Sequence, residues 1–263
     1  MGGALPCAVD SLAWLRLAEP FDHAARSAGL VADLRAALPT DRPIGIVDLG
    51  AGIGSNLRYI APRLGGEQEW LLVDRREQLL EELADELGRW AAERALPVHR
   101  GGDVLYVGPW RVRWSPLGDV FPDVGAHAIV ANGYLASLDQ GAIQDLADWL
   151  VECRVPFLAS ANPDQRVRIS PAHSLDEAVF AGAGPDPVEM LAGLLDGFDV
   201  RVESTDWRTG PDQPELQRTL IARIGGDAEW IAERLEQIDR GRLDVVVGHQ
   251  ELLAQPRARG WLG

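Results

Sequence analysis

An α/β fold, a mostly parallel sheet with helices on both faces, is predicted by three observations. Short apolar runs rich in Val, Ile and Leu alternate along the chain with longer amphipathic segments, the order expected of successive βα units. The first of these runs, "PIGIVDLG" (43–50), is apolar almost throughout, as a strand buried on both faces must be. It passes straight into a glycine-rich turn and a helical stretch, "AGIGSNLRYIAPRL" (51–64). That strand–loop–helix order lets the backbone approach a nucleotide-like ligand closely.

Residues 9–38 read as helical, because Leu12 and Leu15, then Leu30, Leu34 and Leu38, recur at spacings of three and four, with a break expected near Glu19-Pro20. After the first strand, a helix is expected over 56–64; Pro62 inside it implies a short helix or a start near Ala61. "EWLLVD" (69–74) is the second strand, and 77–93, rich in Leu, Glu and Ala, is a strong helix. Gly101-Gly102 and Gly108-Pro109 are turn signals that make a hairpin decoration ahead of a third core strand at 111–114. "AHAIVAN" (126–132) is the fourth strand, 140–153 a helix and "VPFLAS" (155–160) the fifth strand. A helix at 187–195 follows. "FDVRVEST" (198–205) and "ELQRTLIARI" (215–224) then read as an antiparallel pair closing the sheet. A last helix at 228–240 leads into "LDVVVGHQELLA" (243–254) as a tail. The expected organisation is one domain, with N-terminal helices in 1–40, a core sheet in 44–224 and a C-terminal helix and tail in 225–263.

Composition bounds the function. With 263 residues and 46% hydrophobic content the chain can build a large core. It carries 40 acidic residues against 25 Lys and Arg, a net charge of −15, and no basic block. Binding nucleic acid requires cationic surface that displaces counterions, so neither DNA nor large RNA is an expected partner. No stretch approaches the roughly 20 apolar residues needed to cross a bilayer, and the start, "MGGALPCAVDSLAW", lacks the basic and long apolar regions of a secretory leader. Cys7 and Cys153 show no metal-ligand spacing. Two free thiols in a cytoplasmic protein are expected.

The glycine turn narrows the ligand. Dinucleotide folds use G-x-G-x-x-G with pyrophosphate at the helix N-terminus. Here the glycines are Gly50, Gly52 and Gly54, so the third arrives one residue early, and Asp48 stands two residues before the first. A carboxylate there repels a pyrophosphate and suits an ammonium-bearing ligand. A plain tight turn would also use glycines, but it does not call for Asp48. The run Asp48-Leu-Gly50-Ala-Gly52-Ile-Gly54 resembles the first motif of the class I methyltransferases dependent on S-adenosylmethionine (SAM). The resemblance covers about 44–224 and is strongest before 135. It implies a Rossmann-like seven-stranded sheet with an antiparallel last strand. SAM is then the cofactor, S-adenosylhomocysteine the product and a small molecule the methyl acceptor.

Residue by residue, the resemblance sets Gly50, Ala51, Gly52, Gly54 and Asn56 against the cofactor, with Asp48 placing its amino-acid part. Asp74, twenty residues after Gly54, ends the second strand. Its two carboxylate oxygens can accept a vicinal ribose diol, although an Asp after a strand also serves as a helix cap. Arg75 flanks the adenine or is a solvated surface residue. For the adenine amino group Asp119 is preferred to Asp103, because Asp103 in Gly-Gly-Asp is explained by turn chemistry. Asn132 and Gly133, after the fourth strand, face the reacting methyl group or form an ordinary loop.

Three phrases of the second half, "SLDEAV" (174–179), "STDWR" (204–208) and "VVVGHQELLA" (245–254), resemble a bacterial branch of the same family. That branch has a longer polar segment where this chain has only Phe180–Gly184, which implies a shortened cover over the acceptor. Candidate catalytic groups are Tyr134, His173 beside Ser174 and Asp176, and His249 beside Glu251. A His near a carboxylate can be a tuned base or an ordinary loop residue. His127 lies in an apolar strand and is expected in the core. Trp207 could line an acceptor pocket, with core packing as the alternative. A SAM-binding protein that does not methylate is the second functional hypothesis. A nicotinamide oxidoreductase, the third, is disfavoured by the glycine spacing and Asp48.

Overall fold

The computed structural model describes residues 11–118, 120–122, 125–180 and 184–258. Two helices, α1 (Leu12–Ala25) and α2 (Ala28–Ala36), precede β1 (Ile44–Leu49). Then come α3 (Ser55–Leu64), β2 (Gln68–Asp74), α4 (Glu77–Glu93), a hairpin of β3 (Val98–Gly101) and β4 (Val104–Val107), and β5 (Trp110–Pro116). They are followed by β6 (Ala128–Asn132), α5 (Gln140–Cys153), β7 (Phe157–Ser170), α6 (Asp176–Phe180), α7 (Pro187–Leu194) and β8 (Phe198–Thr209). The last elements are α8 (Pro214–Ile224), α9 (Ala228–Asp239) and β9 (Asp244–Pro256). The strand order is β3-β4-β5-β2-β1-β6-β7-β9-β8. β1 pairs in parallel with β2 and β6, β2 with β5, and β6 with β7, while β3–β4 and β4–β5 are antiparallel. This is the α/β architecture that the alternating pattern predicts, Rossmann-like as the resemblance implies.

The chain packs as two compact units. One contains Ser27–Asn162, Pro187–Glu203 and the segment from Glu251 on; the other contains the helix before Ser27, Pro163–Asp186 and Ser204–Gln250. In the first unit β1 is buried on both faces. Ile46 packs with Leu34, Leu57, Ile60, Trp70, Leu83 and Leu87. Val47 and Leu49 pack on the opposite side with Val73, Ile129, Leu146 and Phe157. That two-sided burial explains why its sequence shows no alternation. The other unit has its own core, including Trp207, Leu216, Leu220, Ile221, Trp230, Val245 and Val247.

Several expectations need correction. Among the described residues the sheet has nine strands rather than seven; the two additional ones are the β3–β4 hairpin. α1 runs through Pro20 without breaking. Its apolar side, with Ala18 buried and Trp14, Leu17 and Phe21 packed on the same core, outweighs the lost hydrogen bond of one proline. α3 starts at Ser55, and Pro62 falls in its last turn. "ELQRTLIARI" is not a strand but α8, with Pro214 at its first position and Gly225 just past its end, the asymmetry of helix termini. Leu216, Leu220 and Ile221 form its buried stripe, a helical period. The strand beside β8 is instead β9, in the segment read as a tail. β7 is also longer than expected, fourteen residues, and continues past Pro163 with left-handed backbone at Ala161 (φ 52°) and Gln165 (φ 69°).

Candidate functional site

The order of the strands creates a switch point. From β1 the chain adds β2 and β5 on one side and β6 and β7 on the other. In open parallel sheets the crevice at the carboxyl ends of such strands is where ligands bind. Register brings the ends together: Leu49 pairs with Val73 and with Ala131, and Asn132 pairs with Ser160. The crevice thus receives Asp48–Gly54 after β1, Asp74–Arg76 after β2 and Asn132–Tyr134 after β6.

The glycine loop is fastened by its own backbone. Ala51 N–H donates to the Val73 carbonyl at 3.0 Å, Gly54 N–H to the Ala51 carbonyl at 2.8 Å, and Gly52 N–H to Asp74 Oδ2 at 2.8 Å. Gly50 and Gly52 sit in the left-handed region, at φ 64° and 54°. At Gly50 space matters as well, since an added Cβ would stand 2.7 Å from Cδ2 of Tyr134. Gly50→Ala is therefore expected to destabilise the fold by about 2 kcal/mol, from left-handed strain together with overpacking. Gly241, just past the end of α9, is left-handed as well (φ 61°) but meets only an ordinary contact, Pro211 Cβ at 3.8 Å, so Gly241→Ala should cost about half as much. Urea unfolding of the two variants makes the comparison, and equal losses would remove the Tyr134 contact from the account.

Two carboxylates end strands here, both buried. Asp48 Oδ1 accepts from Asn56 Nδ2 at 2.7 Å, so the first turn of α3 orients it. Asp74 is more heavily engaged. Besides Gly52 N–H on Oδ2, its Oδ1 accepts from Arg76 N–H and Arg76 Nε, and its Oδ2 from Arg76 Nη2, each at 2.9 Å. Arg76 is absent from the sequence-level candidates. The available signal was a basic residue two positions beyond a strand-end carboxylate. Arg75 is exposed. Tyr134 is buried, and its hydroxyl is pushed above its ordinary pKa by burial, with Arg75 opposing and Asp74 adding to the shift. It is therefore a protonated donor near neutral pH. Gly133 is left-handed (φ 66°), and its N–H donates to the Ser160 carbonyl at 2.8 Å.

Asp119 lies outside the described residues, so the adenine contact assigned to it does too. Asp103 belongs to the turn of the outer β3–β4 hairpin, as its turn chemistry implies.

His173 and His249 belong to the other unit. His173 Nδ1 accepts from Leu175 N–H at 3.1 Å, which puts the proton on Nε2, 2.9 Å from Glu233 Oε2. Both ring nitrogens are committed. Next to it, Asp176 Oδ2 accepts from His173 N–H, and Oδ1 accepts from Trp230 Nε1 and Arg234 Nη2. Burial pushes the Asp176 carboxyl up, but these hydrogen bonds and the Arg234 charge together hold it below its ordinary value. The "SLDEAV" phrase thus anchors α6 to α9. His249 is 4% exposed, its ring 4.8 Å from that of Trp207 and its Nδ1 3.1 Å from the Val247 carbonyl. Burial lowers its pKa to about 4, although the Val247 carbonyl, Asp164 and Asp206 favour the charged form. His249 is neutral at pH 7. Glu251, two residues on, accepts from Ser27 N–H. Trp207 is buried in the core of its unit. His127 accepts from Gly45 N–H through Nδ1 at 2.8 Å, a structural role.

No family model and no curated protein matches the chain. Among solved structures it is similar to the YcgJ protein of Bacillus subtilis, at 11% identity over 88% of this chain and 100% of that one, with a TM-score of 0.48. It is similar to YjhP of E. coli at 13% identity over 92% and 100%, TM-score 0.47. A third is a SAM-dependent methyltransferase from Geobacter sulfurreducens in complex with S-adenosylhomocysteine, at 16% identity over 92% and 98%, TM-score 0.45. At such identities the chemistry of this crevice has to be argued from its own residues.

Proposed function

We propose that the chain is a SAM-dependent methyltransferase acting on a small-molecule acceptor. The observation that carries this reading is a pair of buried strand-end carboxylates, Asp48 and Asp74, flanking a left-handed glycine turn at the switch point of the sheet. The donor set fits a nucleoside with a cationic amino-acid tail. Asp74 offers two oxygens to a ribose diol, Asp48 lies on the turn where an ammonium is favoured, and the glycines permit close approach. A pyrophosphate would meet negative charge at both places. SAM supplies an electrophilic methyl group on a sulfonium leaving group.

This chain's residues then bind, orient and exclude water rather than move protons. Tyr134 lies on Gly50 as a hydroxyl donor, and none of Tyr134, His173 and His249 has the features of a general base. An acceptor that is already nucleophilic needs only alignment with the methyl group. Arg75 and Asn132–Gly133 are assigned to the rim of the same site. A protein that binds SAM without methylating is the second reading, and it is favoured by the short segment 180–184, where the bacterial branch that the chain resembles is longer. Calorimetry with SAM, S-adenosylhomocysteine and NAD should show binding of the first two only. NAD binding in their place would overturn both readings. Labelled methyl transfer across an acceptor panel separates the enzyme from the binder.

A further inference from the structure

Asp74 already has a ligand of its own. A carboxylate offers about four acceptor positions, and here four protein N–H groups use them. Gly52 N–H and Arg76 Nη2 reach Oδ2, and Arg76 N–H and Nε reach Oδ1. The backbone pair is built into the loop and into the start of α4. The guanidinium pair is a side chain that can turn away, being 32% exposed against 3% for Asp74. Its fork geometry is bidentate, the strong form of such a pair.

We infer that Arg76 is a competitive internal ligand for the ribose-binding carboxylate, and that it sets the affinity for the nucleoside. The inference rests on the cofactor reading above. Two ribose hydroxyls reach the carboxylate only when the guanidinium leaves, so every diol-bearing ligand binds against that exchange. A nucleoside lacking the diol makes no such demand. Because Arg76 is partly exposed, solvent screening limits the pair's strength. Removing it should tighten diol-dependent binding by roughly three- to tenfold.

The test uses the full chain and three probes: S-adenosylhomocysteine, neutral 5′-methylthioadenosine, and 2′,3′-dideoxyadenosine. Arg76→Met keeps an unbranched apolar stem and removes the charge and the side-chain donors. It should bind the first two probes more tightly than the wild type and leave the third unchanged. Arg76→Lys, a point charge that cannot span both oxygens, should fall between. Equal or weaker binding of the diol probes by a folded Arg76→Met protein overturns the inference, and so does an equal gain for the dideoxy probe. If neither protein binds S-adenosylhomocysteine or methylthioadenosine, the cofactor reading fails and takes this one with it. That outcome is distinct from binding that is indifferent to Arg76.

Discussion

Asp74→Ala should weaken S-adenosylhomocysteine binding by about a hundredfold or more. Hydrogen bonds to a charged group contribute about 1.5–3 kcal/mol each, and a diol on this carboxylate makes two, of which displacing the Arg76 pair takes back roughly a three- to tenfold factor. The variant also frees Gly52 N–H from its acceptor, which loosens the turn proposed to lie against the ligand. Asp74→Asn keeps the shape and one carbonyl oxygen, and should fall between wild type and Asp74→Ala. Calorimetry reads both, with thermal melts to confirm that the variants are folded. If a folded Asp74→Ala protein binds within a few-fold of wild type, the ribose is not held at the end of β2.

His249 should make the fold sensitive to mild acid. Its pKa is about 4 in the folded protein against 6.5 for the free side chain. The unfolded chain therefore takes up the proton first, and stability is fully present above about pH 6.5. It is lost as the pH falls from there towards 4, and this group takes no more below that. The difference corresponds to about 3 kcal/mol, each pKa unit being worth roughly 1.4 kcal/mol. Asp176 acts in a separate window. Its carboxyl is held below the ordinary value, so its contribution persists until the pH drops below about 4. Denaturant unfolding at a series of pH values should show the upper phase in the wild type and its absence in His249→Gln. Parallel curves for the two proteins would mean that the imidazole is not buried in its neutral form.

The half of the fold that carries the crevice was legible because its elements are regular. α4 and α5 have the limits that their apolar periods indicate, and β1 reveals itself as a strand buried on both faces. The closing strands were not legible for two local reasons. "ELQRTLIARI" holds both a β-like and a helical pattern, and only Pro214 and Gly225, read as helix punctuation, decide between them. Pro163 and the polar residues around it imitate the end of a strand, whereas β7 carries on through two left-handed residues. Within the site, Asp48, Asp74 and the glycines were readable from spacing, because the turn needs them at fixed offsets. Arg76 was hidden, since its contact depends on a side-chain conformation that spacing does not encode. His173 looked reactive in sequence, but its partners Leu175 and Glu233 use both ring nitrogens, and Glu233 comes from a distant helix.

The hydrogen bond from Gly52 to Asp74 has a practical consequence for anyone who wants to redesign the donor. On the proposed cofactor reading, one carboxylate oxygen is at once a beam of the loop and part of the ligand's seat. Sugar-modified cofactor analogues cannot be accommodated by trimming that side chain without softening the floor beneath them. Room for unnatural donors has to be made elsewhere in the crevice, leaving Asp74 in place.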